Sequence, residues 1–138
     1  MTSEAQVTAR ILKRAQYRNH RAMDRALQGV GSSLAQWDAL RAISEAPGSS
    51  AHDLAVATFQ SDQAFGTLAN RLLAQGLIAR VAGHGRRVEH RLTEDGERML
   101  AAGVEATAGV AGRSFAGLSA AEVSELHRLL LKVGETLE

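Results

Sequence analysis

The chain has 138 residues, 45% of them hydrophobic, with one Pro and a net charge of only +1, which suits one compact domain plus extensions and a modest core. It has no Cys, so disulfides, thiolate metal sites, Cys nucleophiles and thiol redox switches are excluded. No apolar run at the N-terminus fits a signal peptide and none reaches transmembrane length, so the expectation is a cytoplasmic protein with no membrane partner.

The first predicted element is a helix from about Glu4 to Leu27. It carries Val7, Ile11, Ala15, Ala22, Met23 and Ala26 at helical spacing and stops near Gly29 and Gly31. A stripe of Arg10, Lys13, Arg14, Arg18, Arg21 and Arg25 runs along it, and pairing with the acidic C-terminal region is its simplest account. The second helix opens at Ser33-Leu34-Ala35-Gln36, a capping-box pattern. It is expected to bury Leu34, Trp37, Leu40 and Ile43 and to end at Pro47-Gly48. A third, short helix begins with a similar box, Ser50-Ala51-His52-Asp53, and runs to about Phe59.

Only Gln60 and Ser61 then precede the next helix, Ser61 to Gln75, a spacing that predicts a helix-turn-helix. Ser61 can cap the free N–H groups, Asp62 suits the positive helix end, and Gly76 supplies a left-handed stop. Phe65, Leu68, Ala69 and Leu72 face a core, whereas Gln63, Gly66, Thr67, Asn70 and Arg71 share the opposite side. That polar side is one that reads base edges: Gln and Asn can bond adenine bidentately, Thr can touch a thymine methyl, and Arg can fork onto guanine or a phosphate. Gly66 lets a duplex lie close.

Next, Leu77–Ala82 and Val88–Thr93 bracket Gly83-His84-Gly85-Arg86-Arg87, the pattern of a hairpin with a basic tip. Arg86 and Arg87 on that tip are placed to enter a minor groove or bridge phosphates. A long helix from Glu94 to Phe115 links this region to a last helix. The latter opens with a capping box and hydrophobic staple at Leu118–Val123. It carries the seam Val123, Leu126, Leu130, Val133 and Leu137, which calls for a partner helix, in its own chain or in a second copy.

Charge is uneven along the chain. Residues 1–60 hold seven basic and five acidic side chains, residues 61–93 five and two, and residues 94–138 four and eight. Positive charge thus concentrates on the predicted DNA-reading segment, and the acidic tail end would be held away from phosphates. The five His residues, His20, His52, His84, His90 and His127, lack ligand spacing. Neither a Gly-rich phosphate loop, a catalytic carboxylate pair nor a Ser/His/Asp order occurs, so no cofactor, no metal and no enzymatic activity are expected.

The fold class expected is mainly α: a winged helix-turn-helix over residues 33–93 with a two-stranded β-wing, and a helical dimerisation region from residues 1–32 and 94–138. Asn70–Arg80, Gly85-Arg86-Arg87 and Leu92-Thr93-Glu94-Asp95-Gly96, in this order of elements, resemble the MarR (multiple antibiotic resistance regulator) family of bacterial transcription factors. The resemblance covers nearly the whole chain. It implies an obligate homodimer binding a pseudo-palindromic operator in double-stranded DNA, commonly as a repressor released by a small aromatic, phenolic or lipophilic effector. It implies DNA contacts from Ser61, Asp62, Gln63, Gly66, Thr67, Asn70, Arg71, Arg86 and Arg87. The family's wing motif is Asp-x-Arg; Arg87 matches its Arg, and Gly85 stands at its Asp. The family's effector pocket makes Tyr17, His20, Trp37, Arg41 and Met99 candidate ligand residues, although Trp37 also fits a core stripe and Arg41 an ion pair. Two further readings stay open, a winged-helix protein-interaction module and an effector-independent activator.

Overall fold

In the computed structural model, which describes residues 1–85 and 87–137, the helices are α1 (Glu4–Gln28), α2 (Leu34–Glu45), α3 (Ala51–Ala57), α4 (Asp62–Ala74), α5 (Glu94–Ser114) and α6 (Ala120–Lys132). Strands β1 (Ile78–Ala82) and β2 (Val88–Leu92) lie between α4 and α5. They pair antiparallel from Ile78 opposite Leu92 to Ala82 opposite Val88. The predicted winged-helix order is the observed one.

Each helix starts where a hydroxyl can take an orphan N–H. Ser33 accepts from Gln36, Ser50 from Asp53, Ser61 from Ala64, Thr93 from Gly96 and Ser119 from Glu122. The reciprocal bond of a full capping box forms at Ser119 and Glu122, and also at Ser3 and Gln6. At α2 and α3 only the Ser33 and Ser50 halves of the predicted boxes form, and at α2 a second acceptor joins. Asp24 of α1 accepts the Leu34 N–H at 2.8 Å, so a carboxylate from a neighbouring helix sits at the positive end of α2. Two other helix ends depart from expectation. α3 stops at Ala57 because the tight turn puts Phe59 at φ 58°, a left-handed conformation outside any α-helix. α6 stops at Lys132, with Gly134 at φ 80° and a short 3-10 turn at Glu135–Leu137, so the apolar seam does not continue helically to Leu137.

The main core gathers Ala39, Leu40, Ala42 and Ile43 of α2, Leu54 and Ala55 of α3, Phe65, Ala69 and Leu72 of α4, and Leu77 and Ile78 at the wing's root. Leu40 and Ile43 are buried as expected, whereas Leu34 and Trp37 are half-buried. The helix-turn-helix and the wing therefore rest on one apolar cluster that fixes α4 relative to the hairpin. α5 is seated by the Leu-Thr-x-x-Gly run. The Thr93 hydroxyl donates to the Gly76 carbonyl at 2.6 Å and accepts from the Gly96 N–H, while the Thr93 N–H donates to Leu77 O at 3.0 Å. Gly96 then passes so close to Leu77 that a Cβ would stand 2.0 Å from its carbonyl oxygen.

Candidate nucleic-acid interface

The two sides of α4 separate as its periodicity predicts. Phe65, Ala69 and Leu72 are at most 1% exposed and Leu68 packs against them. Ser61, Asp62, Gln63, Thr67, Asn70 and Arg71 are exposed, and Gly66 is half-exposed. Ser61, Gln63, Thr67 and Arg71 line an open cleft with Ala35 of α2 and Gln60 of the turn. The helix's outer face therefore presents an amide, a hydroxyl and a guanidinium side by side. Thr67 donates its hydroxyl back to the Gln63 carbonyl at 3.1 Å, so its donor is committed. A Cβ at Gly66 would meet nothing within 4 Å. Internal packing thus does not require a glycine there, although it costs a helix interior about 1 kcal/mol relative to alanine.

Two of these side chains have partners outside the helix. Asp62 Oδ1 lies 2.9 Å from His52 Nδ1 of α3, a contact that bridges the two helices of the helix-turn-helix. The hydrogen bond to Asp62, and then its charge, raises the His52 pKa, so the pair carries less net negative charge than Asp62 alone near neutral pH. Asn70 Oδ1 accepts from Arg80 Nη2 of β1 at 3.0 Å. That bond takes one of the two lone pairs of the carbonyl oxygen and leaves the other, with the amide N–H groups, for a base edge. The sequence around His52 and Arg80 carries no signal for either contact. Each lies ten residues from its partner, a spacing without a helical or strand signature.

The wing turn is closed by Gly83 N–H to Arg87 O at 2.9 Å and Arg87 N–H to His84 O at 3.2 Å, with Gly85 at φ 66°. Arg87 is exposed beside it; Arg86 lies outside the described residues. Glu89 folds over the same turn, its side chain 16% exposed, so that a Cβ at Gly83 would stand 2.6 Å from Oε1. The acidic side chain nearest the wing backbone thus comes from β2, although Gly85 occupies the position of the motif's Asp.

The ligand candidates are scattered. Trp37 donates its indole N–H to the Leu100 carbonyl at 3.2 Å and lies against Gly103 of α5. Arg41 is committed to Asp38 at 2.6 Å and Glu45 at 2.7 Å. Met99 packs against the core, and His20 is exposed. Tyr17, with Arg21 stacked 5.7 Å from its ring centroid, lines a furrow on α1 shared with Arg14, Arg18, Ala22 and Arg25, but not with the other four candidates. The α1 basic stripe makes no ion pair with the C-terminal acidic residues among the described residues, contrary to expectation. No group of His, Asp and Glu that could hold a metal occurs among them either.

The sequence profile of the MarR family matches residues 30–87, the span from the α1–α2 turn to the wing. The HTH-type transcriptional repressor Rv2887 of Mycobacterium tuberculosis is 36% identical over 112 residues, covering 79% of this chain and 80% of its own. The chain belongs to the MarR family. A crystal structure of the M. tuberculosis MarR family protein Rv2887 in complex with p-aminosalicylic acid superposes with a TM-score of 0.78 at 28% identity, covering 92% of this chain and 98% of the other. Rv2887 in complex with DNA superposes at 0.77 and 25%, covering 92% and 97%. Among MarR signatures, the Leu-Thr-x-x-Gly run has the structural reason given above: the threonine caps α5 and ties it to Gly76, and the glycine admits Leu77 O.

Proposed function

We propose that this chain is a DNA-binding transcriptional regulator that pairs as a homodimer on a pseudo-palindromic operator, represses, and is released by a small aromatic anion. The observation that carries the reading is the outer face of α4, a groove-reading set of side chains on a helix held rigidly by its buried face. Gly66 supports it, because no neighbour within 4 Å needs that space, so a closely approaching duplex accounts for a costly helix-interior glycine. DNA contacts are assigned to Ser61, Asp62, Gln63, Gly66, Thr67, Asn70, Arg71, Arg86 and Arg87. Residues 33–93 form the reading region, and residues 1–32 and 94–138 the pairing region. The release step is inferred from the relatives crystallised with salicylic acid and p-aminosalicylic acid. The basic furrow beside Tyr17 is chemically suited to an aromatic carboxylate. A regulator of this kind works in the cytoplasm and performs no catalysis.

The test is a mobility-shift titration on an operator selected from a random duplex pool. Arg71→Ala and Arg87→Ala should each weaken binding, Arg71→Ala also relaxing base preference by about 1–3 kcal/mol at one position. Unchanged affinity in both variants would overturn the reading. Release is checked by adding salicylic acid, which should raise the melting midpoint of the free protein while displacing the duplex.

The His52 and Asp62 pair adds a pH dependence with a definite sign. A histidine with a raised folded pKa contributes fully below its unfolded value of about 6.5 and is lost as pH rises through the folded value. Protonated His52 offsets the Asp62 charge next to phosphates. Operator affinity should therefore fall as pH rises from about 6 to 8, by less than about 5-fold for so exposed a pair. His52→Ala should flatten that profile, and an equally steep profile in the variant would assign the dependence to other groups.

A further inference from the structure

The turn between α3 and α4 holds a residue type that its backbone disfavours. Phe59 has φ 58°, and among the described residues it alone carries a Cβ in the left-handed region. Two hydrogen bonds impose that conformation. The Gln60 N–H donates to Ala55 O at 2.9 Å and the Phe59 N–H to Val56 O at 3.1 Å, the pair that closes a helix in a Schellman motif. The same motif ends α4, where the Leu77 N–H donates to Leu72 O and the Gly76 N–H to Leu73 O, both at 3.0 Å. There the left-handed position is filled by Gly76, at φ 74°, as is usual, because a Cβ in that conformation crowds the following carbonyl. Packing does not account for the phenyl ring at the equivalent place in α3. Phe59 is 95% exposed, and Val56 before it is 60% exposed. A side chain that strains the backbone and buries nothing in its own chain points to a contact outside it.

The turn is continuous with the polar side of α4. Gln60 and Ser61, the two residues after Phe59, line the cleft with Gln63, Thr67 and Arg71. His52, one helical turn before Val56, meets Asp62 in the first turn of α4. A recognition helix contacts base edges with its N-terminal residues, so Phe59 sets an apolar ring beside the end of α4 that enters the groove. We propose that Phe59 is a specificity-determining residue that recognises the C5-methyl group of a thymine in the operator half-site. In the major groove the base edges present hydrogen-bond donors and acceptors and one kind of apolar group, the thymine methyl. A phenyl ring, with no donor and no acceptor, matches that group and no other there. The inference rests on the DNA-binding reading above and deepens it. Glycine would close α3 without strain but would leave nothing to meet the methyl.

The experiment compares the full-length wild type with Phe59→Gly on an operator selected by the wild type from a random duplex pool. Each thymine of the half-site is replaced in turn by uracil, which lacks only the methyl group. At one position the replacement should lower wild-type affinity by about 4-fold, the effect of burying a single methyl group. Phe59→Gly should bind the thymine operator more weakly and should not distinguish thymine from uracil at that position. Its melting midpoint should be no lower than that of the wild type, since glycine relieves the turn. A loosened turn would weaken binding to thymine and uracil duplexes alike, so the difference between the two bases isolates the ring. If both proteins respond equally to uracil at every thymine, the proposal is overturned while DNA binding stands. Unchanged binding of Phe59→Gly to all duplexes also overturns it and makes the ring a contact for another protein. If the wild type selects no sequence, the DNA-binding reading itself has failed.

Discussion

Alanine at Gly96 should lower the thermal unfolding midpoint by roughly 10 °C, since overpacking against an immobile neighbour costs about 3 kcal/mol and a domain of this size loses roughly 3 °C per kcal/mol. The added methyl would stand 2.0 Å from Leu77 O and 3.4 Å from Leu92 Cβ. Neither can yield cheaply. Leu77 O already accepts the Thr93 N–H at 3.0 Å, and Leu77 belongs to the main core. Relief therefore requires the first turn of α5 to withdraw, which breaks the Thr93 bond to Gly76 as well. Gly112, in the same helix, is the control, because a Cβ there meets nothing within 4 Å. Gly112→Ala should gain up to about 1 kcal/mol from helix propensity. Melting curves followed by circular dichroism give both numbers, and equal midpoints for the two variants would mean that α5 can slide on the wing's root.

Leu130→Asp is expected to abolish self-association and with it tight operator binding. α6 contributes no buried residue within its own chain, and Leu129 and Leu130 are both 44% exposed. On α1, Val7, Ile11 and Leu12 are exposed as well. Apolar helix faces left without a partner in their own chain mark an interaction surface. A buried charge in that surface is costly, and without pairing each wing-bearing unit binds its half-site alone. Losing the second, tethered contact removes an affinity factor of roughly 10² to 10⁴. Sedimentation velocity should show a monomer and the mobility shift should be lost at concentrations where the wild type is saturated. A variant that stays dimeric would place the interface elsewhere than on α6.

Much of the fold was legible because its signals are local. The helix starts at Ser33, Ser50, Ser61, Thr93 and Ser119 each need only a hydroxyl and an N–H three residues on. The stops at Gly31, Gly48 and Gly76 need only a residue that tolerates positive φ, which all three adopt. The faces of α4 follow from its 3.6-residue period. Two helix ends differ from the sequence periodicity because of local backbone conformation. The end of α6 was masked by apolar spacing that runs on past Gly134, and a strained turn at Phe59 shortened α3.

The sequence by itself determined the order of elements, the polar face of α4, the basic tip and the unpartnered seam, since each depends on periodicity or on contacts within a few residues. Only the tertiary structure decided which polar groups are free. Trp37 is tied to Leu100, Asp62 to His52, and the carbonyl of Asn70 to Arg80, whereas the two partners of Arg41 lie three and four residues away on its own helix. The packing of α2 on α5, of α3 on α4 and of α4 on β1 sets those pairings, and a side chain's donors and acceptors go to whichever group that packing brings within about 3 Å. For a helix proposed to read bases by hydrogen bonds, that distribution decides which donors and acceptors are left to offer, and it exists only once α4 and the wing are docked together.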